Sequence, residues 1–145
     1  RSRGSHYQYA ADLNAVVGAD GVDIDSGYSF LFGGWDDTGA FVVRRREVLA
    51  NDESVVIPRK GSTHRRWFYF KIRKHGDTLT YWVDNEKVAE VADDRPLDGN
   101  RLGLWTYKNG MMVAYVRLCA DRILPPEDVA HIDGRSPSTP YAGED

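Results

Sequence analysis

Six side chains along this chain have the aromatic or guanidinium chemistry that binds flat, hydroxyl-rich ligands. They are Trp35, Arg44, Arg46, Trp82, Trp105 and Tyr107. An aromatic ring stacks on apolar C–H faces, and a guanidinium donates paired hydrogen bonds to hydroxyl or acid groups. Sugars present both kinds of group, so we predict that these six residues contribute to a ligand-binding site of the kind that holds carbohydrate.

The tryptophans of this set also fit a purely structural role. Trp82 and Trp105 lie in segments with strand-like alternation. In such segments an indole commonly belongs to the core or covers a sheet. Trp35 differs, because it lies in a loop bounded by glycines, which gives little reason to bury it. The sequence leaves binding and packing open for all three.

The arginine run at 44–46 has two interpretations as well. On a strand, Arg44 and Arg46 share one face, and together they could bind an acidic sugar or a sulfate. More commonly such a run is a solvated face. Arg45 would point the other way, and if it points inward it needs a carboxylate such as Glu47 or Glu53.

Three aspartates in a glycine-containing loop, Asp20, Asp23 and Asp25, offer oxygen ligands of the kind that calcium prefers. Their spacing departs from the EF-hand pattern, and turn formation alone accounts for Asp and Gly in such a loop. Calcium is kept as an alternative, and no other cofactor or metal site is predicted. The single cysteine, Cys119, forms no internal disulfide, and no catalytic residue is assigned.

Composition narrows the classes of function. The 145 residues suffice for one domain with a core, and 19 basic against 22 acidic side chains leave a net charge of −3. That balance provides no overall field for a phosphate backbone, so nucleic acid is not an expected partner. No apolar run approaches the ~18 residues that a membrane-spanning helix needs, so no membrane span is expected.

The spacing of apolar residues alternates, as in strands, and predicts about eight of them. The segments are 9–17, 28–32, 40–46, 67–73, 78–83, 87–91, 101–106 and 112–118, with 48–56 ambiguous. In the first strand of the predicted meander 67–91, Phe68 and Phe70 face the core while Trp67 and Tyr69 face outward. We therefore predict an all-β, antiparallel two-sheet jelly-roll sandwich over 7–122, and a Pro-rich C-terminal extension or linker over 123–145.

Four segments follow one another in a recognisable order: SGYSFLFGGW at 26–35, WFYFKIR at 67–73, GDTL at 76–79 with WVDNE at 82–86, and PLDGNRLGLWT at 96–106. With them the chain resembles the concanavalin A-like lectin and glucanase superfamily, in particular bacterial jelly-roll domains attached to carbohydrate-active or surface proteins. The resemblance implies a lectin-like, non-catalytic carbohydrate-binding module of a larger extracytoplasmic protein, extracellular or periplasmic, whose other domains are further partners.

Catalytic members of that superfamily carry Glu, Asp and Glu at alternating positions on one strand. Asp23-Ile24-Asp25 lacks the third acid, because Gly27 follows. Two alternatives to a lectin-like module remain: a glycoside hydrolase or polysaccharide lyase with acids arranged differently, and a structural or protein-interaction domain without a sugar site. Product release from polysaccharides would favour the enzyme. Dimerisation without glycan binding would favour the interaction domain.

Overall fold

Strands make up nearly all of the regular structure described for this chain. The computed structural model describes residues 2–3, 13–34, 39–54, 66–106 and 110–123. The chain divides into two compact units, 1–114 and 115–145. The strands within the described residues are β1 (Ser2–Arg3), β2 (Leu13–Ala19), β3 (Tyr28–Gly33), β4 (Gly39–Arg44), β5 (Glu47–Asp52), β6 (Phe70–His75), β7 (Thr78–Val83), β8 (Glu86–Ala92), β9 (Arg101–Trp105) and β10 (Gly110–Met111).

A short 3-10 helix, Ile24–Ser26, is the one named helical element in the described part of the chain. No described helix has the length and apolar character needed to cross a bilayer. Over these residues the protein is all-β with antiparallel sheets, as the alternating sequence pattern predicts. In the second unit, the described residues 115–123 belong to no strand.

The larger sheet has five antiparallel strands in the order β5-β4-β3-β2-β9. Strands β2 to β5 are sequential neighbours, and β9 returns to pair with β2. Two of its three inner strands, β3 and β4, are buried at every position. A strand buried on both faces needs apolar side chains on both, and the runs YSFLFG and GAFVVR largely supply them. The middle of this sheet therefore offers no open face to a ligand.

The smaller sheet is the antiparallel meander β6-β7-β8, which confirms the meander predicted from the sequence. In the turn between β7 and β8, Asp84 and Asn85 have φ of +51° and +70°. The left-handed region is most accessible to Gly, Asn and Asp, and two successive residues in it match the twist of a tight hairpin. The Asp-Asn pair thus sets the register between these two strands.

The main core lies between the two sheets. Phe30 and Phe32 of β3 meet Tyr81 of β7 and the aromatic residues on and before β6. The ring centroids of Phe30 and Tyr81 are 5.5 Å apart and edge to face, and those of Phe32 and Phe68 are 4.9 Å apart. Edge-to-face pairs of this kind add to the burial of apolar area. Two packed antiparallel sheets make the architecture β-sandwich-like, with Phe68 and Phe70 inward as predicted.

Two predicted strands differ from those observed. The segment 40–46 ends at Arg44, because Arg45 and Arg46 take positive φ and turn the chain into β5. The ambiguous segment 48–56 contributes most of β5. The strand predicted at 112–118 is wrong, since residues 112–120 belong to no strand and only Gly110–Met111 pairs, with β1. Alternation defines a face, but a strand also needs a neighbouring backbone to pair with.

Two buried tyrosines give a test of polar burial in this core. The Tyr81 hydroxyl is buried with no hydrogen-bond partner among the described residues, and its burial raises the pKa of Tyr81. Tyr81→Phe removes that unpaired group, so we expect the free energy of unfolding to stay constant or rise by up to about 1 kcal/mol.

The matched variant for this test is Tyr28→Phe. The Tyr28 hydroxyl donates to Asp93 at 2.7 Å and accepts from the Leu97 N–H at 2.8 Å. Its removal should lower the free energy of unfolding by about 1–3 kcal/mol, because two buried partners lose a hydrogen bond. Urea titration of both variants measures the difference, and equal losses in the two would contradict this account.

Candidate functional site

Of the six residues predicted as ligand contacts, the four that the structure describes do not converge on one place. Trp35 and Tyr107 lie outside the described residues. Arg44 lies between the sheets, Arg46 in the β4–β5 turn, Trp82 on the outer side of the smaller sheet and Trp105 on β9. Each of these four residues has different surroundings.

Arg44 is the residue that departs most from its prediction. It is only 5% exposed, and its guanidinium forms ion pairs with Asp93, which is 2% exposed, and with Glu47. The expectation that Arg44 and Arg46 share an outward strand face is wrong, because the strand ends at Arg44 and its side chain lies on the inner side, beside Val42 and opposite Tyr28. The buried arginine that needs a carboxylate is thus Arg44, not Arg45.

Asp93 is the centre of a buried polar network. Burial alone would raise its pKa, but hydrogen bonds from Tyr28 and the Arg95 N–H, together with the charge of Arg44, hold the pKa of Asp93 below its ordinary value. The carboxylate is therefore ionised and satisfied on both oxygens. These bonds join β3, β4 and the segment after β8, so the network has a structural role.

Arg46 faces a shallow recess at the acidic loop. Its Nε donates to Asp25 at 2.8 Å, and Asp23, Asp25, Ser26, Arg45 and Arg46 line a recess of about 300 Å³. The Arg46 side chain is 82% exposed. An ion pair this exposed contributes little to stability, and none of the described residues that line the recess is aromatic.

The aspartates of this loop are used by the turn itself. Asp20 accepts from the Asp23 and Val22 N–H groups at 2.9 and 2.8 Å, and these bonds lower the pKa of Asp20. Asp23 accepts from the Asp25 N–H at 2.9 Å. No group of three or more metal-ligating side chains is found among the described residues. Calcium at this loop stays an untested prediction.

Trp105 lies on the face of the five-stranded sheet that is turned away from the main core. It packs against a small cluster of Leu31, Phe41 and Val43, and its Nε1 is buried without a hydrogen-bond partner in the described part of the chain. This environment matches the sheet-covering interpretation of Trp105 rather than an open stacking platform.

Trp82 belongs to a different surface, the outer side of the smaller sheet. Strand alternation turns residues of all three strands to this side. Among them are Lys71 and Arg73 of β6, Thr80 and Trp82 of β7, and Lys87 and Glu90 of β8. Lys71 and Lys87 are both register partners of Trp82, one on each neighbouring strand. The Lys71 ammonium lies 4.6 Å from the centroid of the Trp82 ring, which is a cation–π contact.

The segment before β6 extends this surface with two more rings. Tyr69 exchanges hydrogen bonds of 2.9 Å with Asp84, its N–H donating to the carboxylate and its carbonyl accepting from the Asp84 N–H. The pairing with β7 thus continues one residue beyond the strand, with Phe68 inward. Trp67 and Tyr69 are consequently turned outward and are 50% and 47% exposed.

We call this surface the aromatic–basic face and define it by Trp67, Tyr69, Lys71, Arg73, Trp82 and Lys87. Trp82 is the one member of this face that is also among the six predicted ligand contacts. Trp67, Tyr69 and Lys71 were missed as contacts, although the alternation that places Phe68 and Phe70 in the core already turns them outward. Half-exposed aromatic rings can stack on a ligand, and the cations beside them can donate hydrogen bonds to it.

A bulge shapes the face beside Trp82. The register between β7 and β8 shifts between Tyr81 and Trp82, so that Ala89 pairs with Tyr81 while Lys87 pairs with Trp82. Val88 is the extra residue, and it is buried in the core. Bulges of this kind redirect side chains and are frequent beside functional sites.

Fold and surface together define an all-β, sandwich-like protein with one exposed aromatic and basic sheet face. Comparison with protein-family profiles, with curated proteins and with solved structures finds no match to this chain.

Proposed function

We propose that this protein binds carbohydrate without chemistry, on the aromatic–basic face. The observation that supports this most is the presence of three aromatic rings, Trp67, Tyr69 and Trp82, on one side of one sheet, two of them about half exposed. Several indole and phenol rings grouped on one side of a sheet form an apolar patch of the kind that marks a binding surface, and stacking on a sugar is a contact that suits them.

The carboxylates near this face favour binding over hydrolysis. Glycoside hydrolysis requires two carboxyl groups flanking the bond to be cleaved. Among the outward strand residues described above, Glu90 is the single acid, and Lys87 lies 3.5 Å from it. Asp84 in the adjoining turn already accepts from the Tyr69 N–H and from Arg66. A lectin-like role therefore suits this face better than that of a glycoside hydrolase.

Two finer predictions from the sequence, the type of sandwich and the kind of parent protein, belong to the same proposal. The two packed sheets are the core of a jelly-roll of the concanavalin A-like kind, in a module of a larger extracytoplasmic bacterial protein. The chain's own segment order and the sandwich-like packing support this. Stacking on a few rings gives modest affinity, in the micromolar to millimolar range, because ordering and desolvation offset much of the contact energy.

A protein-interaction role is the second candidate, and one feature favours it. Leu102 and Leu104 of β9 are 46% and 41% exposed, at the edge of the five-stranded sheet. An edge strand with exposed apolar side chains is a surface on which another chain can pair. Dimerisation that a charged substitution at Leu104 abolishes, without any glycan binding, would favour this candidate.

Trp82→Ala tests the proposed function. We expect it to weaken binding to a responsive glycan by about tenfold or more, because the ring at the centre of the face is lost, a change of about 1.4 kcal/mol. Calorimetric titration after a glycan-array screen measures it. Tyr115→Ala is the control, since Tyr115 is 70% exposed and belongs to no sheet. Parental affinity in a folded Trp82→Ala protein would remove this face from the site.

A further inference from the structure

We propose that the ligand of the aromatic–basic face is an acidic polysaccharide, one that carries carboxylate or sulfate groups along its length. This inference rests on the proposed function and adds the chemical class of the ligand to it. It follows from the charges on the face, from the position of Lys71 over Trp82 and from the length of the surface.

The face is positive on a protein that is negative overall. Lys71, Arg73 and Lys87 point outward, and Glu90 is the one acid among the outward strand residues named above, whereas the whole chain carries a net charge of −3. The face is therefore opposite in sign to the chain as a whole. A concentration of one sign of charge attracts ligands of the opposite sign and raises their rate of association.

Two of these cations are open to a ligand. Lys71 and Arg73 form no ion pair with any described residue, and Lys87 has one exposed contact with Glu90 at 3.5 Å. Exposed pairs at such a distance hold their partners weakly. The guanidinium of Arg73 presents paired donors that match the oxygens of a carboxylate or sulfate.

The cation over Trp82 favours an acidic sugar over a neutral one. Because the Lys71 ammonium lies 4.6 Å from the ring centroid, a sugar that stacks on that side of the indole must displace it. A neutral sugar offers the displaced ammonium only hydroxyl groups. A sugar with an acid group gives it a charged partner, so the cation–π contact is replaced by a charge-assisted hydrogen bond.

The surface is also long enough for a chain of sugars. Trp67, Tyr69, Lys71 and Arg73 alternate along one extended segment, and successive outward residues in such a segment are roughly 6.6 Å apart. The span from Trp67 to Arg73 is therefore on the order of 20 Å. Rings occupy one end and cations the other, which suits a polymer with repeated acid groups better than a single sugar.

Paired polysaccharides test the charge requirement. We compare dextran sulfate with dextran, and polygalacturonate with its methyl ester, by calorimetry at low and high salt. Binding should be at least tenfold tighter for the acidic member of one pair, and the preference should shrink as salt screens the charges. Lys71→Gln with Arg73→Gln should remove the preference for the acidic member. Lys74→Gln is the matched control, because it lies on β6 but its neighbours in register face the core.

The other outcomes overturn either the acidic class of the ligand or carbohydrate binding itself. Equal, salt-independent binding of acidic and neutral members overturns the acidic class and leaves carbohydrate binding in place. If the protein binds none of the four polysaccharides and nothing on the glycan array, both the acidic class and carbohydrate binding are overturned. Tighter binding of single-stranded oligonucleotide than of any polysaccharide, lost in the same double variant, would assign the face to nucleic acid instead.

Discussion

Asp93→Ala should lower the free energy of unfolding by about 3–5 kcal/mol, the usual effect of removing one partner of a buried ion pair. The substitution leaves Arg44 between the sheets with Glu47 as its remaining carboxylate, and it removes the acceptor of the Tyr28 hydroxyl and of the Arg95 N–H. Guanidinium chloride titration followed by tryptophan fluorescence measures the change.

The neighbouring acid supplies the control for Asp93. The Asp94 side chain is 88% exposed and has one weak contact, 3.4 Å, with Arg95. Asp94→Ala should therefore change stability by no more than about 0.5 kcal/mol, as expected for an exposed position. Similar losses in the two variants would show that the buried network does not have the role assigned to it.

The same carboxylate sets a pH dependence. Because the pKa of Asp93 is lower in the folded protein than in the unfolded chain, its contribution is fully present above the unfolded-state value of about 3.9. The contribution is lost as pH falls through the folded-state pKa. The difference in stability between wild type and Asp93→Ala should therefore be constant from pH 5 to 7 and shrink below pH of about 4. A difference that grows with acidification would contradict the sign.

Gly99→Ala should destabilise the protein by about 3 kcal/mol or more, through a backbone collision. A Cβ at Gly99 would lie 2.1 Å from the Gly18 carbonyl oxygen and 2.7 Å from that of Ala19. No rotation of a side chain relieves these contacts, because both partners are backbone atoms of β2. Relief would require moving the segment before β9 away from β2, at the edge of the five-stranded sheet.

Asp98→Ala is the neighbour to compare with Gly99→Ala. Asp98 is exposed, and its substitution should be nearly neutral. Urea titration gives the loss in stability, and amide hydrogen exchange tests whether the loss is centred on Arg101–Trp105. Full stability of Gly99→Ala, with normal protection of β9, would mean that the close approach at Gly18 is not required.

Much of the smaller sheet follows from the sequence, because one of its faces is buried and the other is not. That asymmetry produces the clear alternation of WFYFKIR and TLTYWV, which correctly turns Phe68 inward and Trp82 outward. The Asp-Asn pair in the connecting turn adds a local signal with its own physical cause. Fold class and the outward aromatic residues could therefore be predicted.

The interior position of Arg44 could not be predicted in this way. Strand β4 is buried on both faces, so its apolar and polar residues do not alternate. Without that alternation the sequence does not show which face of the strand Arg44 lies on. Its partner Asp93 lies 49 residues further along the chain, beyond the reach of any local pattern. From the sequence, a buried arginine paired with an acid is expected only if Arg45 points inward, whereas the structure buries Arg44.

The bulge at Val88 affects how the aromatic–basic face can change during evolution. With Thr80 opposite Glu90 and Tyr81 opposite Ala89, an unbulged strand would place Val88 beside Trp82. Because the bulge adds one residue, Lys87 lies beside Trp82 instead, and Val88 stays in the core. The chemistry next to the central indole thus depends on the count of residues in β8, so the gain or loss of one codon there would alter it more than most point mutations.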